Sequence, residues 1–256
     1  YQAPEYTSLT ADSKICLGGH SIGGVAGNDT LYSMVSGTKG MNVIAPTWFS
    51  MTDENGAFRS FATAGYVTTA HQMGLQVWGV LDNFNYANEN GISISTLNML
   101  SSTTARQNLG KNVTDTAVGL GLDGINVDFE QLSSDCGPHY VEFLRELSIE
   151  CRNKGLVLSI DNYVPFHFND YYRLDIQGEV ADYVIIMGYD EHYVGSEAGS
   201  VASLPWVEQG IQDTLDEVPA ERVINAIPFY TRLWRTTGGN VTSEAIGMDQ
   251  AQQTIA

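Results

Sequence analysis

Basic residues are scarce in this sequence. Only 12 of its 256 residues are lysine or arginine, against 30 aspartates and glutamates, so the formal net charge is −18 at pH 7. This charge repels phosphate groups and argues against nucleic acid or an anionic membrane as the partner. An uncharged substrate such as a sugar polymer is compatible with it, and so is a charge that serves solubility alone.

Cysteines and long apolar runs are also few. Cys16, Cys136 and Cys151 have no CxxC spacing and no accompanying histidine pattern, so we expect no metal site and no cofactor. No segment approaches the length of a membrane span, and no signal peptide opens the chain. The sequence leaves open whether an export signal was removed before Tyr1.

Short apolar segments, in contrast, recur along the chain with helix-like segments between them. They are rich in valine and isoleucine and nearly continuous in apolar character, which is typical of parallel strands covered on both faces. Alternating βα units predict an α/β fold, either an open doubly wound sheet or a barrel. The predicted strands cover residues 14–19, 41–49, 75–84, 124–130, 156–163, 182–190 and 222–230.

The count of seven strands matters, because a (β/α)₈ barrel needs eight. After Tyr230 the chain is polar and rich in glycine and threonine, and no eighth apolar strand is visible. The sequence therefore predicts either an open sheet or a barrel that lacks its eighth βα unit.

The fourth predicted strand carries polar residues at alternate positions. Asn126, Asp128 and Glu130 share one face, each about 6.6 Å from the next, while apolar residues occupy the other face. In a barrel the polar face points inward, and Glu130 lies nearest the carboxyl end, where barrel active sites are built. Two carboxyl groups in a partly dry cavity do not both ionise easily, and glycoside cleavage needs such a pair. A hydrogen-bond network that only fixes the core is the alternative.

These residues belong to a segment that resembles a known signature. The segment Asp123–Glu130, "DGINVDFE", is similar to the DxxDxDxE motif of family 18 glycoside hydrolases, the chitinase-type barrels, with Asn126 in place of the middle aspartate. "MGYD" (187–190) and "IPFYTR" (227–232) resemble two further motifs of that family. The segment 189–211 is similar to the branch of bacterial spore-cortex-lytic and cell-wall N-acetylglucosaminidases.

The resemblance implies a (β/α)₈ TIM barrel. Residues 1–235 would form the barrel with strands 1–7, and residues 236–256 would begin the α+β insertion that family members carry after strand 7. The eighth βα unit, whose tryptophan floors the sugar site in the family, is missing from this chain.

The resemblance also implies roles for individual residues. Glu130 would protonate the leaving oxygen and then act as base, while Asp128 would orient the 2-acetamido group of the substrate. Because Asn126 cannot ionise, we expect Asp128 to be more simply anionic than in a motif with two aspartates. The other implied roles are a hydrogen bond from Tyr189 to the acetamido group, sugar contacts by Asn126 and Asp190, cleft contacts by Tyr230 and Arg232, and a structural role for Asp123 and Gly124.

Two aromatic residues near the carboxyl ends of predicted strands are candidates for stacking on sugar rings. These are Trp48 and Tyr163, for which core packing is the alternative. The consecutive Asp190, Glu191 and His192 suggest metal ligands, but consecutive residues on a strand diverge, so we predict none there.

The predicted function is a retaining glycoside hydrolase that cleaves β-linked N-acetylglucosamine in peptidoglycan of the spore cortex or cell wall. The resemblance implies a bacterial, extracellular protein associated with the wall or spore. Chitooligosaccharides are an alternative substrate, and a non-catalytic carbohydrate-binding barrel is an alternative function. A third candidate, an open sheet whose carboxylates bind Mg²⁺ for phosphoryl chemistry, would need a phosphate cradle that the sequence lacks.

Overall fold

The fold is a curled sheet of parallel strands flanked by helices. The computed structural model describes residues 9, 14–85, 91 and 93–255. In chain order the strands are β1 (Leu17–His20), β2 (Val43–Pro46), β3 (Phe49–Met51), β4 (Phe58–Ser60), β5 (Gln76–Asp82), β6 (Gly124–Asp128), β7 (Val157–Tyr163), β8 (Tyr183–Met187), β9 (Val223–Ala226), β10 (Tyr230–Thr237) and β11 (Asn240–Gly247).

Seven of these strands form the main sheet in the order β1-β2-β5-β6-β7-β8-β9, and every neighbouring pair is parallel. They are the seven segments that the sequence predicted. Because strands neighbouring in the sheet follow one another along the chain, the sheet curls in one direction, as in a barrel. Within the described ranges no eighth strand joins β9 to β1, so the barrel is open between these two edges.

The predicted second strand is broken in two. β2 ends at Pro46, and after Thr47 and Trp48 the chain continues as β3, which pairs in parallel with β5 and antiparallel with β4. The β3–β4 pair extends the sheet beyond the carboxyl end of β2 and raises one wall of the barrel mouth.

Helices lie between the strands, and several have the expected end signals. Ser102 caps α4 by accepting a hydrogen bond from the backbone N–H of Ala105, and α5 begins with Pro138 in its first turn. Gly121 and Gly155 end these two helices in the left-handed conformation. The helices are α1 (Leu31–Val35), α2 (Ala64–Gln72), α3 (Thr96–Ser101), α4 (Thr103–Leu120), α5 (Gly137–Lys154), α6 (Leu174–Val180), α7 (Leu204–Leu215) and α8 (Met248–Ile255). In the described part of the chain no helix is both long and apolar enough to cross a membrane.

The core has an outer and an inner part. The outer part lies between the sheet and the helices and includes Ile125, Val127 and Phe129, which are at most 1% exposed. The inner part fills the barrel below the carboxyl ends of the strands, where the Trp78 ring stacks on the Tyr183 ring with 5.3 Å between centroids. The barrel is therefore closed from below by packed side chains, and a ligand approaches from the carboxyl ends.

After β9 the chain forms an antiparallel hairpin of β10 and β11, followed by α8. The hairpin begins at Tyr230, so the predicted start of the insertion at residue 236 falls inside β10. The indole N–H of Trp234 on β10 donates to the carbonyl of Gly199, 2.9 Å away, and this bond fixes the hairpin to the loop that follows β8.

Candidate active site

A row of carboxyl groups lies at the carboxyl ends of three neighbouring strands. In the register of the sheet Asp82 on β5 pairs with Asp128 on β6, and Asn126 pairs with Ser159 on β7. Asp161, two residues beyond Ser159, therefore lies on the inward face at the level of Asp128. The inward orientation predicted for Asn126 and Asp128 is confirmed, since their apolar neighbours face the helices.

Glu130 is held by its backbone just beyond the end of β6. The Asn83 side chain accepts a hydrogen bond from the Glu130 N–H and donates one to the Glu130 carbonyl, both at 3.0 Å. Asn83 is 4% exposed, so these bonds are protected from water. The following residue, Gln131, has a φ of 53°, a conformation that residues other than glycine rarely adopt. The chain thus turns sharply after Glu130 and leaves its carboxyl group at the mouth.

The Glu130 carboxyl group has a direct partner on β7. The Tyr163 hydroxyl donates to Glu130 Oε2 at 2.9 Å and accepts from the Gln131 N–H at 3.1 Å. The structure therefore gives Tyr163 a contact that the sequence did not predict, and its stacking on a sugar stays a prediction. One residue thus orients the carboxyl group and supports the strained turn beside it.

Asn126 joins β6 to β7 through its side-chain amide. Its Nδ2 donates to Ser159 Oγ and to Asp161 Oδ1, each at 3.0 Å. Asn126 Oδ1 and Asp128 Oδ1 are buried, and neither has a hydrogen-bond partner among the described residues. An unpaired buried oxygen is energetically expensive, so each of these two oxygens is a candidate acceptor for a donor of a ligand.

Burial and mutual repulsion raise the pKa values of these carboxyl groups. Burial is the main cause for Asp128, followed by the charges of Asp161, Glu130 and Asp82, and together they raise its pKa to about 8. The pKa of Asp161 rises to about 7, again chiefly through burial, although the Asn126 bond opposes the rise. Burial also raises the pKa of Glu130, against the lowering effect of the Tyr163 hydrogen bond. The expectation that Asp128 is more simply anionic than in a motif with two aspartates did not include Asp161, whose charge contributes to the raised pKa of Asp128.

The chain after β8 completes one side of the mouth. The Tyr189 ring meets the Tyr230 ring edge-on, with centroids 6.1 Å apart, and the Tyr230 hydroxyl donates to Asp190 Oδ1 at 2.5 Å. Asp190 has a φ of 62°, a second strained position at this mouth. Burial raises the pKa of Tyr189, and the charges of Asp161 and Asp128 raise it further.

A family comparison agrees with this geometry. The model of glycosyl hydrolases family 18 matches residues 92–255, which include the carboxyl row on β6 and β7 and the residues after β8. The chain belongs to glycosyl hydrolase family 18.

The chain is also similar to two proteins of Bacillus subtilis. A sporulation-specific glycosylase of Bacillus subtilis, YdhD, is 34% identical over 143 residues, which cover 53% of this chain and 33% of that protein. The cortical fragment-lytic enzyme of Bacillus subtilis is 26% identical over 165 residues, covering 60% of this chain and 37% of the enzyme. This chain thus matches about a third of the length of these two relatives.

Among solved structures, the C-terminal domain of a chitinase from Desulfitobacterium hafniense superimposes with a TM-score of 0.81 at 20% identity. The superposition covers 95% of this chain and 76% of that one. At this identity the likeness shows the fold, and it confirms the predicted TIM-barrel class. The family resemblance of the three sequence motifs is likewise confirmed.

Asp123 and Gly124 of the family 18 motif have structural contacts below the site. Asp123 Oδ2 accepts from the Val77 N–H at 2.7 Å and lies 2.8 Å from His71 Nε2, so it ties β6 to β5 and α2. A side chain at Gly124 would lie 2.8 Å from the Val157 carbonyl oxygen and 2.9 Å from the Trp78 ring. Glycine therefore makes room for the inner core on which the carboxyl row rests.

Two other predicted residues lie away from the carboxyl row. Trp48 is fully buried, its indole N–H donates to Asn28 Oδ1 at 2.8 Å, and its ring packs against Tyr66. The prediction that Trp48 stacks on a sugar is wrong, because the break between β2 and β3 turns the ring into the core. Arg232 donates to Ser243 Oγ at 3.0 Å, so its contact lies within the β10–β11 hairpin.

The neighbours of Asp190 have separate partners. Glu191 accepts from the N–H and hydroxyl of Ser203, and His192 Nδ1 lies 2.8 Å from the Ser200 carbonyl. The side chains therefore diverge, and within the described ranges no group of three or more His, Cys, Asp or Glu residues is placed to hold a metal ion. Glu191 and His192 instead shape the loop that receives Trp234.

Sequence reasoning missed Asp82, Asn83 and Asp161. Each is a polar residue at the carboxyl end of an otherwise apolar strand, in "VLDNF" and "SIDNY". The same pattern identified the polar residues of β6, but β5 and β7 each carry only one inward carboxyl group. Only the register of the sheet shows that Asp82, Asp128 and Asp161 lie at the same level on three neighbouring strands.

Proposed function

We propose that this chain is a retaining glycoside hydrolase that cleaves β-linked N-acetylglucosamine. The observation that carries the proposal is the arrangement of Glu130. Its backbone is fixed by Asn83, its carboxyl group is fixed by Tyr163, and its pKa is raised by burial. A carboxyl group with a raised pKa, held in a fixed position at a barrel mouth, suits a general acid.

Asp128 supports a mechanism in which the substrate supplies the nucleophile. Its unpaired Oδ1 suits the N–H of a 2-acetamido group, which would then be oriented with its carbonyl oxygen towards the anomeric carbon. Glu130 gives its proton to the leaving oxygen as the glycosidic bond breaks and the acetamido oxygen bonds to the anomeric carbon. Water then attacks that carbon, Glu130 takes the proton of the water, and the acetamido group is restored. Two displacements at one carbon retain its configuration.

Tyr189 extends this site across the mouth. Because the charges of Asp161 and Asp128 act on its phenol, we assign it a hydrogen bond to the acetamido carbonyl, with Asp190 and Tyr230 as sugar contacts beside it.

We assign peptidoglycan of the spore cortex or cell wall as the substrate. Support comes from the names of the two Bacillus subtilis relatives, a sporulation-specific glycosylase and a cortical fragment-lytic enzyme. A wall or spore location outside the cytoplasm follows from that substrate. The D. hafniense chitinase shares the fold, so chitooligosaccharides are the second candidate.

The test is release of reducing ends from purified cortex peptidoglycan and from chitooligosaccharides, with mass spectrometry of the products. The protein is compared with Glu130→Gln, which keeps the size and loses the acid. We expect saccharides that end in reducing N-acetylglucosamine from peptidoglycan, and none from the variant. Faster cleavage of chitooligosaccharides would assign them as the substrate. Binding to either polymer without cleavage would assign a binding module.

A further inference from the structure

The family motif has an aspartate where this chain has Asn126, and an amide cannot share a proton with Asp128. The neighbouring strand offers a replacement. Both hydrogens of Asn126 Nδ2 go to β7, one to Ser159 Oγ and one to Asp161 Oδ1, each at 3.0 Å. The amide therefore holds the Asp161 carboxyl group in place on the inward face of β7, at the level of Asp128.

We propose that Asp161 is a positioning residue that shares one proton with Asp128 and so takes over, from the next strand, the part of the missing aspartate. This inference rests on the proposed function and concerns the same site. Before substrate binds, the pair carries one proton, which either carboxyl group can hold, and one negative charge. When positive charge develops on the acetamido group, the proton passes to Asp161, which leaves Asp128 anionic beside that charge. One O–H bond breaks, one forms, and the net charge of the pair is unchanged.

The surroundings make such sharing favourable. The charges of Asp82 on β5 and of Glu130 after β6 act on Asp128. The charge of Asp128 in turn raises the pKa values of the Tyr140, Tyr163 and Tyr189 phenols. Arg59 acts on Asp82 rather than on the pair. Burial and the neighbouring charges raise the pKa values of both Asp128 and Asp161, so the pair keeps one proton.

The test follows the carboxyl carbons of the aspartates by ¹³C NMR as the pH is raised, which needs no enzyme activity. In the unaltered protein we expect the Asp128 and Asp161 signals each to show two inflections. In Asp161→Asn we expect the Asp128 midpoint to fall by at least one pH unit. The double variant Asn126→Asp/Asp161→Asn returns a carboxyl group to the middle position of the motif and should restore the midpoint.

Asp82→Asn is the matched control, and it should move the Asp128 midpoint less than Asp161→Asn does. A single Asp128 inflection below pH 5 in the unaltered protein would overturn the proposal even if no variant folds. So would a midpoint that Asp161→Asn leaves within 0.3 pH units.

The pH profile of kcat/KM separates this inference from the proposed function. We expect the acid limb to move to lower pH in Asp161→Asn, because Asp128 then ionises more easily, and to return in the double variant. If the protein cleaves a polymer but Asp161→Asn leaves the Asp128 midpoint unchanged, the inference is wrong and the proposed function still holds. If the midpoint moves but the protein cleaves neither polymer, the proposed function is wrong and the shared proton still holds.

Discussion

Replacing Asp128 by asparagine should stabilise the protein at neutral pH while it removes activity. The pKa of Asp128 is raised from 3.8 to about 8 in the folded protein. Between these values the unfolded chain releases a proton that the folded chain keeps, so the free energy of unfolding falls as the pH rises. Asparagine has no proton to lose, and it also fits the space.

The size of the effect follows from the width of the pH window. Each pH unit in which only the unfolded state is ionised costs about 1.4 kcal/mol, so the three units from pH 4 to pH 7 give a ceiling of about 4 kcal/mol. Asp161 shares the effect, because either carboxyl group of the pair can hold the proton. We therefore expect Asp128→Asn to gain about 2–4 kcal/mol at pH 7 and almost nothing at pH 4.

The assay is urea unfolding of both proteins from pH 4 to pH 8, followed by circular dichroism. Asp216→Asn, at the exposed end of α7, controls for the loss of one negative charge. A gain that is the same at pH 4 and pH 7 would refute the reasoning, since it would come from packing instead of a proton. A loss of stability at pH 7 would refute it as well.

Three further predictions concern the supports of the site. Tyr163→Phe removes the hydrogen-bond donor to Glu130, so the pKa of Glu130 should rise further. The alkaline limb of the pH profile of kcat should then move to higher pH, and kcat should fall about tenfold. An alkaline limb that does not move would contradict this prediction. Asn83→Ala removes both hydrogen bonds to the Glu130 backbone and should lower kcat about 10–100-fold at optimum pH. An unchanged kcat would show that the turn at Gln131 keeps its conformation without Asn83. Gly124→Ala brings a methyl group against the Val157 carbonyl and should lower the free energy of urea unfolding by about 1–3 kcal/mol; an unchanged midpoint would show that the inner core has spare room.

The sequence predicted the strands well because parallel strands buried on both faces leave a strong signal. Runs of valine and isoleucine, such as the one in β8, require burial whatever the rest of the chain does. The inward face of β6 was also predictable, since side chains alternate with a period of two. Both inferences need only the residues of one strand.

Contacts between strands could not be predicted in this way. Asn83 and Glu130 are 47 residues apart, and their pairing depends on the register of β5 against β6. Trp48 was assigned to the site although it lies in the core. An aromatic residue near the end of a strand suits core packing and sugar binding equally well until the local turn is known. Asp161 is held in the site by a hydrogen bond from Asn126, and the two residues belong to different strands, so neither segment alone predicts the contact.

The measurement that tests the central claim most directly is the configuration of the first product. Proton NMR of a cleavage reaction, recorded within the first minutes, distinguishes the two anomers of the newly released reducing N-acetylglucosamine. The proposed attack by the acetamido group predicts that the β-anomer forms first and then mutarotates to the equilibrium mixture. Initial appearance of the α-anomer would mean a single displacement by water, and it would contradict the roles assigned to Asp128 and Glu130.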